Sequence, residues 1–172
     1  MQRIMSFGSS KGWRMPFVRV LIVDDFELWK GFLIARLQEQ ADLCIVGFAS
    51  DGLVAVQKAE ELQPDLILLD ICLPKLDGIE AARQIQKRSP KSKILFLTVN
   101  ADEDVVRAAF GAGGSGYVLK SDAATDLLAG MAAVLQGKQF TSTSLASIED
   151  LSDARNAGLE NQQPSLQRDT DL

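Results

Sequence analysis

"DLILLDICLPKLDG", residues 65–78, decides the fold. Residues 66–69 are Leu-Ile-Leu-Leu, with no alternation of polar and apolar side chains. Such a run suits a parallel strand covered on both faces. It ends on a carboxylate, Asp70, and Pro74 and Gly78 follow where strand gives way to loop. In open α/β sheets that carboxyl edge is where ligands bind.

Outward from this strand the chain alternates two periods. Further strands are predicted at 18–24 (VRVLIVD), 43–49 (LCIVGFA), 93–98 (KILFLT) and 115–120 (SGYVLK). Between them lie helical patterns. The first, 26–39, carries Trp29, Leu33 and Leu37 on one side. The second is capped by Ser50 or Asp51, carries Val54, Val56, Ala59 and Leu62, and stops before Pro64. The third starts at Asp77 with Ile79, Ala82 and Ile85 at helical spacing, and the fourth lies near 102–112. In the last, Leu127, Leu128, Met131, Val134 and Leu135 form an apolar stripe. Gly113, Gly114 and Gly116 precede a strand, so they read as a tight turn and not as a phosphate loop. Five β-α units imply an α/β, doubly wound five-stranded parallel sheet with helices on both faces and right-handed crossovers. The order expected is 2-1-3-4-5, with its switch point between strands 1 and 3.

This domain spans 17–140 of the 172 residues. Residues 1–16 form an N-terminal extension that includes Trp13 and lacks the apolar centre of a signal peptide. Residues 141–172 are polar, with six acidic residues against Arg155 and Arg168. They read as a mostly disordered tail, or one short helix near 147–157. The apolar fraction of 47% suffices for a core, yet no apolar run is long enough to span a membrane. A net charge of −5 argues against nucleic acid as a direct partner. Cys44 and Cys72 have no spacing motif and read as reduced core thiols of a cytoplasmic protein. The chain has no histidine, which excludes a Ser-His-Asp triad, a histidine-ligated zinc and a phosphohistidine carrier. Its chemistry runs on carboxylates, lysine and hydroxyls.

Strand 1 ends in Asp24-Asp25, strand 3 in Asp70, strand 4 in Thr98, and strand 5 carries Tyr117 and Lys120. Alone, Asp24-Asp25 reads as a turn and helix cap, and Lys120 as a solvated strand end. With strands 1 and 3 adjacent, three carboxylates converge, and repulsion raises their pKa values unless a cation sits among them. Oxygen-only ligands favour Mg²⁺. The set suits an aspartyl phosphate: Asp70 attacks phosphorus, Asp25 holds Mg²⁺, and Lys120 and Thr98 each take a phosphate oxygen.

Residues 18–140 resemble the receiver domain of two-component response regulators, with a three-layer, flavodoxin-like fold. The matching motifs are "VDD" at 23–25, "LLDICLPKLDG" at 68–78, "LT" at 97–98 and "GYVLK" at 116–120. The resemblance implies that Asp70 is the phosphoacceptor and Asp25 a direct Mg²⁺ ligand. Asp24 assists through water, and the Cys72 backbone carbonyl completes the ligands. Thr98 and Tyr117 become a switch pair, with Tyr117 turning inward on phosphorylation. A histidine kinase or phosphotransfer protein is the implied donor, and a downstream protein the target. No enzymatic activity is expected beyond self-phosphorylation from phosphodonors and self-dephosphorylation. The face of the fourth helix, fifth strand and fifth helix is the one offered for contacts, a homodimer among them. "GYVLK" followed by "DLLAGMAAVLQGKQF" (126–140) looks most like the branch that usually carries a LuxR-type helix-turn-helix, a module not expected from the acidic residues 141–172.

Two departures from the pattern are visible. Ser121 follows Lys120 where many receivers have a cis proline, and Val99 follows Thr98 where a small residue is common. Three rivals stand beside the phosphoacceptor: a non-phosphorylated scaffold, a phosphatase with an aspartate nucleophile, and a shortened DNA-binding regulator. The phosphatase needs a second acid two residues after Asp70, where this chain has Cys72.

Overall fold

A computed structural model describes residues 17–145. Its elements are β1 (Val18–Val23), α1 (Glu27–Gln38), β2 (Leu43–Ala49), α2 (Gly52–Leu62), β3 (Leu66–Leu69) and α3 (Gly78–Arg88), then β4 (Lys93–Thr98), α4 (Glu103–Gly111), β5 (Gly116–Leu119), α5 (Ala123–Leu135) and β6 (Phe140–Thr141). All strands run parallel, in the order β2-β1-β3-β4-β5-β6. The doubly wound order 2-1-3-4-5 is therefore present, and a sixth strand widens the sheet beyond the five expected. The N-terminal extension with Trp13, and the tail from residue 146 on with its predicted helix near 147–157, lie outside the described residues.

The missing alternation in β1, β3 and β4 has a simple origin. Val20 and Ile22 of β1 pack with Leu33 and Leu37 of α1 and with Leu127 and Met131 of α5. Leu21 and Val23 point to the other face, against Ala55 and Ala59 of α2 and Ala81 and Ile85 of α3. Every residue of β3 is at most 1% exposed. Each such leucine or isoleucine contributes roughly 2 kcal/mol of burial. Alanines at the inner positions of α2, α3 and α4 (Ala55, Ala59, Ala81, Ala82, Ala109) let those helices lie close on the sheet.

Three of the described helices are capped by an aspartate side chain. Asp51 accepts from the Val54 N–H, Asp77 from those of Ile79 and Glu80, and Asp102 from those of Asp104 and Val105. Each side chain satisfies donors that a helix start leaves open. Asp51, not Ser50, is thus the cap of α2.

Two expectations change. Cys44 and Cys72 are exposed, not core thiols. Cys44 sits on β2, an edge strand with one neighbour, and Cys72 in the loop after β3. The domain also continues past residue 140. Ser142 is fully buried and Leu145 is 4% exposed, so the first residues assigned to the tail pack on the domain.

Candidate functional site

Backbone hydrogen bonds fix the carboxylates at adjacent strand ends. The Asp24 N–H donates to the Ala49 carbonyl at 3.0 Å, and the Asp70 N–H to the Val23 carbonyl at 3.0 Å. The chain then turns sharply after Asp70, and the Gly78 N–H returns to the Ile71 carbonyl at 2.8 Å. A Cβ on Gly78 would lie 2.0 Å from the Asp70 carbonyl oxygen, so only glycine lets α3 begin there. Lys75 adopts a left-handed backbone conformation at φ 65°, and its Nζ lies 2.7 Å from Asp51 Oδ2, tying this loop to the start of α2. That hydrogen bond holds the Asp51 carboxyl below its ordinary pKa.

Asp24, Asp25 and Asp70 each offer a carboxylate oxygen within 4.8 Å of the others. Asp24 and Asp70 are buried, and Asp25 is exposed. Lys120 reaches in from the end of β5, with Nζ 2.6 Å from Asp24 Oδ2 and 2.8 Å from Asp70 Oδ2. The remaining oxygens are held by backbone. Asp70 Oδ1 accepts from the Ile71 N–H at 2.7 Å and the Cys72 N–H at 3.3 Å, and Asp24 Oδ1 from the Phe26 N–H at 2.8 Å. The Lys120–Ser121 peptide is trans and enters a single 3-10 turn, Lys120–Asp122.

Burial sets the electrostatics. It raises the Asp24 carboxyl above its ordinary pKa, although the bonds from Lys120 and Phe26 pull the other way. For Lys120, burial works to lower the ammonium pKa, but the hydrogen bonds to Asp24 and Asp70 outweigh it and leave the pKa raised. The lysine stays charged. It offsets part of the negative charge that Asp24, Asp25 and Asp70 place together.

Thr98 is fully buried at the end of β4, and its Oγ1 accepts from the Asn100 N–H at 3.4 Å. Tyr117 is also fully buried, and its hydroxyl donates to the Asn100 carbonyl at 2.8 Å. Burial pushes the Tyr117 phenol well above its ordinary pKa. The ring therefore already occupies the inward position expected of it only after phosphorylation. Asn100, which the sequence reading misses, joins the two switch candidates through its backbone, so no side-chain signal betrays it. Val99 is 73% exposed beside Thr98.

Trp29, assigned from sequence to packing, stacks on Phe32 at 4.8 Å, and Lys120 Nζ lies 5.3 Å from its ring centre. It is the aromatic wall of the lysine and a built-in reporter. Lys30 is buried as well, bonded to Glu27 and to Ser50.

A parallel α/β sheet whose carboxyl edge gathers three aspartates, a partly buried lysine and a buried threonine is the architecture of an aspartate-centred signalling domain. The chain belongs to the response regulator receiver domain family of two-component systems, whose family model matches residues 20–132. Among curated proteins it is 38% identical over 113 residues to the response regulator protein VraR of Staphylococcus saprophyticus, covering 66% of this chain and 54% of the relative. It is 40% identical over 110 residues to VraR of Staphylococcus aureus, covering 64% and 53%. The chain thus spans about half the length of the curated relatives it matches. A two-component response regulator of the LuxR family from Aurantimonas superposes with a TM-score of 0.75 at 28% identity, over 81% of this chain and 99% of that one. The receiver domain of RcsB from Salmonella enterica, solved with the phosphomimetic BeF3⁻, gives 0.71 at 27% identity, over 76% and 97%.

Receiver domains bind Mg²⁺ at such an acidic pocket, and the donors here fit a hard divalent cation. Asp24, Asp25 and Asp70 offer only oxygens, close enough together for one ion. No helix among the described residues is long and apolar enough to cross a membrane.

Proposed function

We propose that Asp70 accepts a phosphoryl group from a histidine kinase or phosphotransfer protein and so switches a protein-interaction face. One observation carries this reading. Asp70 is buried, yet it sits in a loop mouth where two backbone N–H groups grip one oxygen and Lys120 neutralises the other.

A carboxylate oxygen of Asp70 forms the new bond to phosphorus as the donor's P–N bond breaks, and the electron pair leaves on the imidazole nitrogen. Small phosphodonors react in the same way, with their own leaving group. Lys120 and the Thr98 hydroxyl each take a phosphate oxygen and spread its charge. Mg²⁺, when held by Asp25, Asp70 and the Cys72 carbonyl with Asp24 behind a water, supplies further neutralisation of the transferring group. Hydrolysis of the acyl phosphate resets the domain.

The Thr98–Asn100–Tyr117 link gives the switch its physical form. Movement of Thr98 toward a phosphate pulls on the Asn100 backbone that the Tyr117 hydroxyl holds. Phosphorylation then shifts population between two arrangements of the face made by α4, β5 and α5. The output passes through protein contact in the cytoplasm. The RcsB relatives favour a second reading of output alone, since one of their structures is described as bound to DNA. In that reading the receiver serves a DNA-binding regulator.

Asp70→Asn tests the proposal. The variant should stay folded and gain no mass from acetyl phosphate with Mg²⁺, while wild type gains one phosphoryl group. Normal labelling of the variant would overturn the assignment.

A further inference from the structure

The segment after α5 does more than end the domain. Phe140 packs beside Gly130 of α5 on one face of the sheet, whereas Leu145 is buried on the other, in a cluster with Val106, Ala109, Tyr117 and Leu119. Residues 140–145 therefore wrap around the sheet edge at β5. The seat is built for them. A Cβ on Gly130 would lie 3.0 Å from the Phe140 ring, and one on Gly116 3.2 Å from the Phe140 carbonyl.

Ser142 completes what β6 begins. Its N–H donates to the Tyr117 carbonyl at 2.9 Å, and its Oγ accepts from the Leu119 N–H at 2.9 Å. These are the polar groups that an edge strand otherwise presents to solvent or to another chain. The Thr143 N–H donates to Asp126 Oδ2 at 2.9 Å, which anchors the segment to α5. The two clipped positions, Tyr117 and Leu119, lie on the strand that leads directly into Lys120.

We propose that Phe140–Leu145 is a latch, whose docking on β5 holds Tyr117 buried and is coupled to occupancy of the phosphorylation site. The idea rests on the phosphoacceptor reading of Asp70. If a phosphoryl group favours the arrangement with Tyr117 buried, it favours the docked latch, and by linkage the docked latch strengthens binding of a phosphoryl mimic by the same factor. A docked latch also seals β5 against pairing with a second sheet.

The test uses the full chain with beryllium fluoride and Mg²⁺ as the phosphoryl mimic. Backbone hydrogen exchange at Leu119, Ser142 and Thr143 should slow on adding the mimic. Ser142→Ala removes one clip and Leu145→Ala the apolar anchor, and neither residue touches the acidic site. Both variants should bind the mimic at least about five-fold more weakly, the lower bound of ordinary coupling. Mass gain from acetyl phosphate, run in parallel on wild type, separates the two claims. Normal mass gain with exchange indifferent to the mimic and unchanged variant affinity would overturn the latch alone. Absence of mass gain would overturn the phosphoacceptor reading and the latch with it.

Discussion

Replacing Lys120 by methionine isolates the charge that holds the site together. The ammonium contacts Asp24 Oδ2 at 2.6 Å and Asp70 Oδ2 at 2.8 Å, with side chains 12%, 2% and 7% exposed for Lys120, Asp24 and Asp70. Methionine keeps the length and the packing against Trp29 but leaves two buried carboxylates without their cation. Removing one partner of a buried ion pair costs about 3–5 kcal/mol, because the remaining charge stays desolvated. Urea unfolding in EDTA at pH 7 should show a loss of that size. The pH dependence has a definite sign. Burial already raises the Asp24 carboxyl, so its charged form opposes folding as pH rises above the ordinary 3.8, and loss of Lys120 strengthens that opposition. The deficit should shrink on lowering the pH toward 4, as the Asp24 carboxyl takes up its proton. Mg²⁺ should also narrow it, and should stabilise Lys120→Met more than wild type. A loss below about 1 kcal/mol, the range of an exposed pair, with no response to pH or Mg²⁺, would refute the view of Lys120 as the site's internal cation.

Three further outcomes follow from the geometry. Gly78→Ala sets a Cβ 2.0 Å from the Asp70 carbonyl oxygen; overpacking of that kind costs about 3 kcal/mol, so urea unfolding should show it together with slower phosphorylation, and unchanged stability would contradict the close approach. The Thr143 N–H holds the Asp126 carboxyl below its ordinary pKa, so its stabilisation is complete above pH 3.8 and is lost as pH falls through the lower folded value. Unfolding curves of wild type and Asp126→Asn should therefore converge below pH 3.8, and a constant offset would speak against this bond. Trp29, with Lys120 Nζ 5.3 Å from its ring, should change fluorescence on Mg²⁺ addition and return with EDTA in a Trp13→Phe background; a silent Trp29 would mean that the cation binds without disturbing Lys120.

Much of this was legible in the chain because strong signals coincided. The apolar runs of β1, β3 and β4 mark buried parallel strands, and the residues ending them, Asp24, Asp70 and Thr98, sit at one edge by topology alone. Lys120 joins them for the same reason. Other features depend on contacts distant in sequence. β6 is two residues long, too short for any period to show, and exists because Gly116 and Gly130 leave room for Phe140. Cys44 lies on an edge strand, where residue type is a poor guide to burial. The Trp29–Lys120 contact joins the first helix to the end of the fifth strand. The inward position of Tyr117 is a choice of rotamer, held by the Asn100 carbonyl, and residue spacing carries no record of it.

The most direct test is to locate the phosphoryl group. Borohydride reduces an aspartyl phosphate to homoserine, so reduction after treatment with acetyl phosphate and Mg²⁺, followed by peptide mass mapping, reads out the acceptor. Homoserine at position 70, and at no other aspartate, is the predicted result. Homoserine at 24 or 25, or none at all from a folded protein that binds Mg²⁺, would contradict the account.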